Sequence, residues 1–350
     1  MQNDLKHSIQ IAALYVGSIV GAGFASGQEV GRFFIAVRGN GFYGIVVATV
    51  LFILASCAIL LRVYDLKLCG NRYYTALFGH RLGAVADGLL LLFLMLTFCI
   101  MAVGSGALFT QQFALDGRFG IIALLVPVFF VLACEMKGFM NITTVITPLM
   151  VLGIFTCSIF GILTQIQPTF AGITQLAYAT NHWLPMAIFY VSYNMLITAP
   201  ILSNLSSYIT SKKVAVMSGV IGGCVIGVLL LCIRGALHFV WVDASALPLP
   251  MLSVVGRLGQ HFSLLYAVTL YLAMFCAATA CGFTVVEQLR TLFKIHRVWC
   301  AGLLCLLVMP FSQLGFQNLV GKGYVIFGIA GVWILASYLI DGLNLIRTKT

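Results

Sequence analysis

The sequence predicts an all-α membrane protein of ten transmembrane helices, built as two five-helix halves in inverted repeat, with the opening helix of each half discontinuous. Three observations predict it. The 350 residues are 61% hydrophobic and 8% charged, with a mean hydropathy of +1.08, against roughly 25% charged in a soluble domain. Ten apolar runs follow one another, most of them near the roughly 20 residues that span a bilayer. The loops between them are too short to hold a globular domain, so one transmembrane domain fills residues 1–350. Finally, only the first and sixth runs carry polar or glycine-rich interruptions at a depth where hydrocarbon is expected.

The first run, residues 8–37, opens as an apolar helix and then meets Gly21, Gly23, Ser26 and Gly27, with Glu29 directly after. Glycine costs a helix interior about 1 kcal/mol relative to alanine, and unpaired peptide groups in lipid cost more. A break there must therefore line something polar, and exposed helix ends inside a membrane are ready sites for a solute or an ion. The second run covers 41–61 and is followed by Arg62, Lys67, Arg72 and Arg81. The third, 84–113, contains the small run Gly104, Ser105, Gly106, which permits close helix packing. Pro127 makes the fourth, 119–134, kinkable, and in the fifth, 142–163, Thr143, Thr144 and Thr147 precede Pro148. A charge-free loop with Pro168 and Asn181 is read as interfacial.

The sixth run, 183–208, repeats the oddity of the first. Its middle reads Tyr190, Ser192, Tyr193, Asn194, then Thr198, Ala199 and Pro200, and Pro200 has no N–H to give the carbonyl of Leu196. An interruption is expected there too. The seventh run, 214–240, ends near Arg234 and His238, read as interfacial anchors; the eighth, 263–289, holds the small run from Ala277 to Gly282; 298–311 and 324–346 complete the set.

Cytoplasmic loops collect Lys and Arg. With the N-terminus inside, thirteen basic residues fall on the cytoplasmic side and Arg32, Arg38, Arg118, Arg234, Arg257 and Lys322 outside, so both termini are expected in the cytoplasm. The net charge of +10 is scattered over segment ends rather than clustered with aromatics, which argues against nucleic acid. Residues 1–27 have the look of a signal peptide, but Asp4 offsets Lys6 and the apolar pattern resumes after Glu29, so the segment is read as retained. The eleven cysteines sit singly, without a CxxC pair or metal spacing, and are read as packing residues. Residues 8–164 and 183–346 form the two halves. Five spans per half is an odd number, which inverts the second half and turns the two interrupted helices toward one midplane pocket.

At this point the chain resembles the amino acid, polyamine and organocation transporter superfamily, which has the LeuT fold. More narrowly, YVGSIVGAGFASGQE at 15–29 and FYVSYNM at 189–195 are similar to the YkvI family of small bacterial membrane proteins. The resemblance implies a secondary transporter in the bacterial cytoplasmic membrane that moves a small amino acid or related amine by alternating access. It also implies that Gly21, Ala22, Gly23, Phe24, Ala25 and Ser26 present backbone amides to a substrate carboxylate, while Ser192, Tyr193 and Asn194 supply carbonyls for an ammonium group. Sodium-coupled members of the superfamily hold the ion with two neighbouring hydroxyls of the eighth helix. This chain offers Thr279 with Cys281 nearby.

Glu29 is the one acid well inside a predicted span, and charged groups at that depth are costly and usually functional. It is the candidate proton carrier, with an i, i+3 pair to Arg32 as the plainer reading. Arg32 is read as an outer gate or as a snorkelling anchor, Tyr190 and Tyr193 as solute contacts or packing, and Thr279 as an ion ligand or a packing residue. Beyond a coupling H+ or Na+ no cofactor is expected, and the expected partners are a small-molecule substrate and the lipid bilayer, with no protein partner required. A solute-gated sensor or passive channel on the same fold stays open. An intramembrane enzyme lacks support, since no HExxH, aspartate pair or facing His pair occurs.

Overall fold

The computed structural model describes residues 2–37, 40–66, 79–134, 136–164, 182–238, 240–316, 319–320, 327–328 and 331–340. The expected interfacial loop with Pro168 and Asn181, the basic residues Arg38, Lys67, Arg72, Lys322, Arg347 and Lys349, and the C-terminal end lie outside the described residues. Among the described residues the chain is helical and carries no strand.

Apolar composition sets the helices and local chemistry ends them. The first segment divides into α1 (Gln2–Ile19), the single turns α2 (Ala22–Ala25) and α3 (Gln28–Val30), and a wide turn at Gly31–Ile35. Then come α4 (Gly41–Leu66), α5 (His80–Phe113), α6 (Gly117–Ala133), α7 (Met136–Leu163), α8 (Trp183–Ser203), α9 (Lys212–Leu237), α10 (Trp241–Ala244), α11 (Pro250–Gly256), α12 (Gln260–Phe293), α13 (Arg297–Phe311) and α14 (Gly331–Ile340). The Asp116 side chain accepts from the Arg118 N–H at 2.9 Å and opens α6, and Ser211 accepts from Val214 at 3.2 Å and opens α9, each satisfying one donor that a helix start leaves free. At the other ends, Ala114 and Lys294 adopt left-handed conformations that stop α5 and α12.

Seven of these helices are long and apolar enough to cross a membrane, and α6 and α14 are shorter apolar helices. The chain is a multi-span membrane protein. Their enclosure sorts them: the most apolar stretch of α8 is 83% buried and that of α12 72%, against 22% for α13. The centre is therefore α1, α8 and α12, while α13 and the outer faces of α6 and α7 form the lipid rim, where Phe130, Val145, Leu149 and Leu306 stand exposed. Around the centre, α1 packs on α7, α9 and α12, α4 on α8 and α9, and α5 on α6 and α12.

Two differences from the sequence reading matter for the site. The interruption expected near residues 192–200 is not there: α8 winds continuously from Trp183 to Ser203. Its polar side chains bond back along their own helix, Ser192 Oγ to the Ile188 carbonyl at 2.6 Å and Asn194 Nδ2 to the Tyr190 carbonyl at 2.8 Å, so they require no gap in the winding. The second difference is the connection between α9 and α12, which folds as the short helices α10 and α11. Pro248 and Pro250 keep that stretch from reading as a span, and they also divide it into pieces short enough to fold into the molecule.

Candidate functional site

The first segment leaves helical form at Val20 and Gly21. Gly21 is extended, with φ −103° and ψ −162°, and its N–H donates to the Ile19 carbonyl at 2.8 Å. A Cβ on Gly21 would lie 2.9 Å from the Met101 thioether and 3.2 Å from Ala277, so glycine is what lets α5 and α12 close on the break. Gly27, at φ +82°, supplies the left-handed turn that redirects the chain into α3, a conformation that costs glycine nothing.

Protein groups already hold several of the break's peptide groups. The Ala22 N–H donates to Met101 Sδ at 3.1 Å, a weak acceptor. The Ala25 carbonyl accepts from Tyr266 Oη of α12 at 2.6 Å, and the Ser26 carbonyl from the Met251 N–H of α11 at 2.8 Å. Ser26 Oγ turns inward to the Gly23 carbonyl at 3.2 Å. The expectation that Gly21 to Ser26 leave bare amides and carbonyls for a solute is therefore met by a partly occupied backbone. The Met101, Tyr266 and Met251 contacts come from parts of the chain far from residue 21.

Glu29 lies inside this break. It is 4% exposed, and its Oε2 accepts a hydrogen bond from Tyr193 Oη of α8 at 2.6 Å. The side chain folds back over Gly23, where a Cβ would collide with the carboxyl group. Gly23 is thus the seat of the Glu29 carboxylate. Arg32 is half-buried and stands beyond the 4.0 Å of an ion pair with Glu29, so the i, i+3 pair is not formed. The Glu29 carboxyl group is instead turned back over Gly23 and held there by Tyr193.

Aromatic rings enclose the pair. Phe33 lies 5.3 Å from Tyr190 and 5.8 Å from Tyr193 between ring centroids, Phe34 meets Tyr190 edge-on at 5.0 Å, and Tyr190 meets Tyr193 at 5.5 Å. Tyr190, Tyr193 and Asn194 share one face of α8, as i, i+3 and i+4 positions do, and Thr198 continues it to within 3.5 Å of Ser18 on α1. Ser192 points elsewhere, its backbone against Gly331 of α14. The structure therefore brings Gly23, Glu29, Tyr190 and Tyr193 together and separates Ser192 from them. Thr279 also keeps to itself: its hydroxyl reaches the Phe275 and Cys276 carbonyls of its own helix, at 2.8 and 2.9 Å. Among the described residues no three His, Cys, Asp or Glu side chains gather in a way that could hold a metal.

A plug that the sequence reading missed closes one end of the site. Gln28 Nε2 donates to the Leu247 carbonyl at 2.7 Å, and Gln111 both donates to the Leu249 carbonyl and accepts its N–H, each at 3.1 Å. The Trp241 ring lies where a Gly31 side chain would be. Glutamines at 28 and 111, in otherwise apolar segments, were the available signal, since a buried amide needs partners. At the opposite end, Lys212 pairs with Asp65 at 2.7 Å and ties α9 to α4. There too Glu287 holds Arg297 at 2.9 Å, while the Arg297 guanidinium also donates to the Leu132 carbonyl and lies 4.5 Å over the Phe283 ring.

No family model matches the chain. Two relatives from Bacillus subtilis (strain 168) align along most of it. The uncharacterized membrane protein YkvI is 23% identical over 347 residues, covering 97% of each chain. The uncharacterized protein YyaD is 24% identical over 331 residues, covering 93% of this chain and 94% of that one. Among solved structures, a substrate-bound, outward-open Na+-coupled sialic acid symporter matches with TM-score 0.63 at 13% identity, over 95% of this chain and 78% of that one. MhsT in complex with L-phenylalanine matches with TM-score 0.60 at 14% identity, over 95% and 87%. A manganese transporter of Eremococcus coleocola matches with TM-score 0.59 at 15% identity, over 97% and 76%. At these identities the likeness shows the fold alone: the chain is similar in fold to transporters of the LeuT type.

Proposed function

We propose that this protein is a secondary active transporter of a small amine-bearing solute, an amino acid or a related amine, driven by an ion gradient and working by alternating access. One observation carries the reading: a carboxylate buried inside a broken helix and held by a tyrosine from the other half of the molecule. Such a group links the winding of the first segment to the position of α8, so a change in its charge or its ligand is felt on both sides of the site. The names of the structural neighbours, a sialic acid symporter, a protein crystallised with L-phenylalanine and a manganese transporter, support solute transport as a class.

In this reading α1 with its broken continuation and α8 open the two inverted halves, α4 to α7 with α9, α12, α13 and α14 complete ten spans, and the chain joins the amino acid, polyamine and organocation superfamily. Both termini lie in the cytoplasm of a bacterium, and the α10–α11 plug covers the outer side. Proton coupling through Glu29 is favoured over sodium, because the Thr279 hydroxyl bonds its own helix and has no neighbouring hydroxyl in the run from Ala277 to Gly282. The test is uptake of labelled amino acids and amines into proteoliposomes, with proton gradients of either direction and sodium gradients imposed separately. Accumulation under a proton gradient is expected. Solute entry without accumulation under any gradient would replace the transporter with a channel or a solute-gated sensor.

A further inference from the structure

We propose that the solute presents a cationic ammonium group without a neighbouring carboxylate, held by the ionised Glu29 carboxylate beside the rings of Phe33, Tyr190 and Tyr193, and that it displaces one proton from Glu29 on binding. The proposal rests on the transporter reading and narrows its substrate.

Among the side chains that are described Glu29 is the one buried acid, and Tyr193 is its hydrogen-bond partner there. No basic side chain among the described residues stands within ion-pair distance of it. Buried charges are paired in stable proteins; Arg32 acts on Glu29 only across a longer distance than an ion-pair contact, so the ionised carboxylate keeps room for a contacting cation from outside the chain.

The place where a solute carboxylate would dock is already taken. The Glu29 carboxyl group lies over Gly23 and the Ala22 N–H is held by Met101. A second carboxylate there would stand against the first. An ammonium group has the opposite relation to every group present: attraction to the carboxylate, and attraction to ring faces, which bind primary and quaternary ammonium ions alike. The ring centroids of Phe33, Tyr190 and Tyr193 lie 5.3 to 5.8 Å from one another, and Tyr193 belongs both to the rings and to the carboxylate.

The other charged and titratable groups around the site are Arg32 on the same turn, Tyr266 of α12, bonded to the Ala25 carbonyl, and Arg234 and His238 at the end of α9. Arg234 Nε donates to the Phe34 carbonyl at 3.4 Å. Among the groups whose side chains are described none is an acid, so Glu29 is the carboxylate for which a cation and a proton compete. One carboxylate cannot hold a proton and an ammonium ion together. Coupling at this site is then exchange, one proton released for each cation bound.

The test measures binding by equilibrium dialysis and by thermal stabilisation, on the purified full-length protein, from acid to neutral pH. The probes are choline, a series of primary alkylamines of increasing length, L-norvaline and valerate. Choline keeps its charge at every pH, so any pH dependence belongs to the protein. Choline or an alkylamine is expected to bind best and to weaken about tenfold per pH unit once Glu29 takes up its proton. Glu29→Gln should lose about a hundredfold in affinity together with the pH slope, and Glu29→Asp should keep the slope. The unliganded melting temperature and elution profile report whether each variant folds, and the wild-type slope with choline decides the matter without any variant.

Tighter binding of norvaline or valerate than of every amine, amine binding that does not vary with pH, or no amine binding at all overturns the proposal. These results are distinct from failure of the transporter reading. Accumulation of norvaline in proteoliposomes would keep a transporter and discard the ammonium site, whereas amine binding without accumulation under any gradient would do the reverse.

Discussion

Gly23→Ala puts the relation between the break and Glu29 to a direct test. The added methyl would occupy the position of the Glu29 carboxyl group, which is held on its other side by Tyr193 at 2.6 Å. Either the methyl is squeezed in, costing about 1–3 kcal/mol as overpacking does, or the carboxyl group is evicted and both it and the buried Tyr193 hydroxyl lose their shared bond, at about 1–3 kcal/mol. Both routes give a loss of about 2 kcal/mol. Glu29→Ala removes the obstacle, so in that background Gly23→Ala should cost a few tenths of a kcal/mol or become neutral. The four proteins form a double-mutant cycle with a coupling energy of about 2 kcal/mol, within the range seen for residues in contact. The assay is unfolding in detergent, followed by the melting temperature and by denaturant titration. If the two losses simply add, the carboxylate does not sit over Gly23 and the account of the site fails.

Three further outcomes follow from contacts elsewhere. Arg297→Ala removes an 11% exposed guanidinium that pairs with Glu287 and bonds the Leu132 carbonyl. It should cost about 3 kcal/mol in unfolding, as breaking a buried pair does, and Arg297→Lys should not restore it, because one ammonium cannot serve both acceptors and the Phe283 ring; full stability in the lysine variant would refute this. Gln111→Ala removes both bonds to Leu249, and with the exposed Cys134 and Cys224 replaced it should raise the labelling of a cysteine placed at Ser26 by an impermeant thiol reagent about tenfold, the equivalent of roughly 1.4 kcal/mol of lost closure. Unchanged labelling would mean that α10 and α11 do not close the site. Thr279→Val should leave the response of uptake to sodium unchanged, since the hydroxyl serves its own helix; loss of sodium-stimulated uptake would restore it as an ion ligand.

Glycines and an acid at membrane depth made the broken segment legible, because Gly21, Gly23, Gly27 and Glu29 are hard to explain as lipid-facing helix. The same logic misread α8. Ser192, Asn194 and Pro200 look disruptive as letters, yet a serine or asparagine can turn its side chain back to the carbonyl four residues before it, and Ser192 and Asn194 both do. Nothing in residue order says whether a polar side chain reaches outward or back. Pro200 sits one turn from the end of α8 at Ser203, where the winding stops in any case. The contacts that shape the site are long-range: Met101 with Ala22, Tyr266 with Ala25, Tyr193 with Glu29. Met101 and Tyr266 do not stand out in the sequence and Tyr193 reads there as a solute contact or as packing, and only the fold shows which peptide group or carboxylate each one meets. Gly23 makes the point most clearly. In the sequence it is one more glycine at a break, offered to a solute, whereas in the structure its missing side chain is the space a carboxylate from six residues later needs. That reverses the charge expected of the ligand, because a cradle filled by the protein's own anion has no use for another.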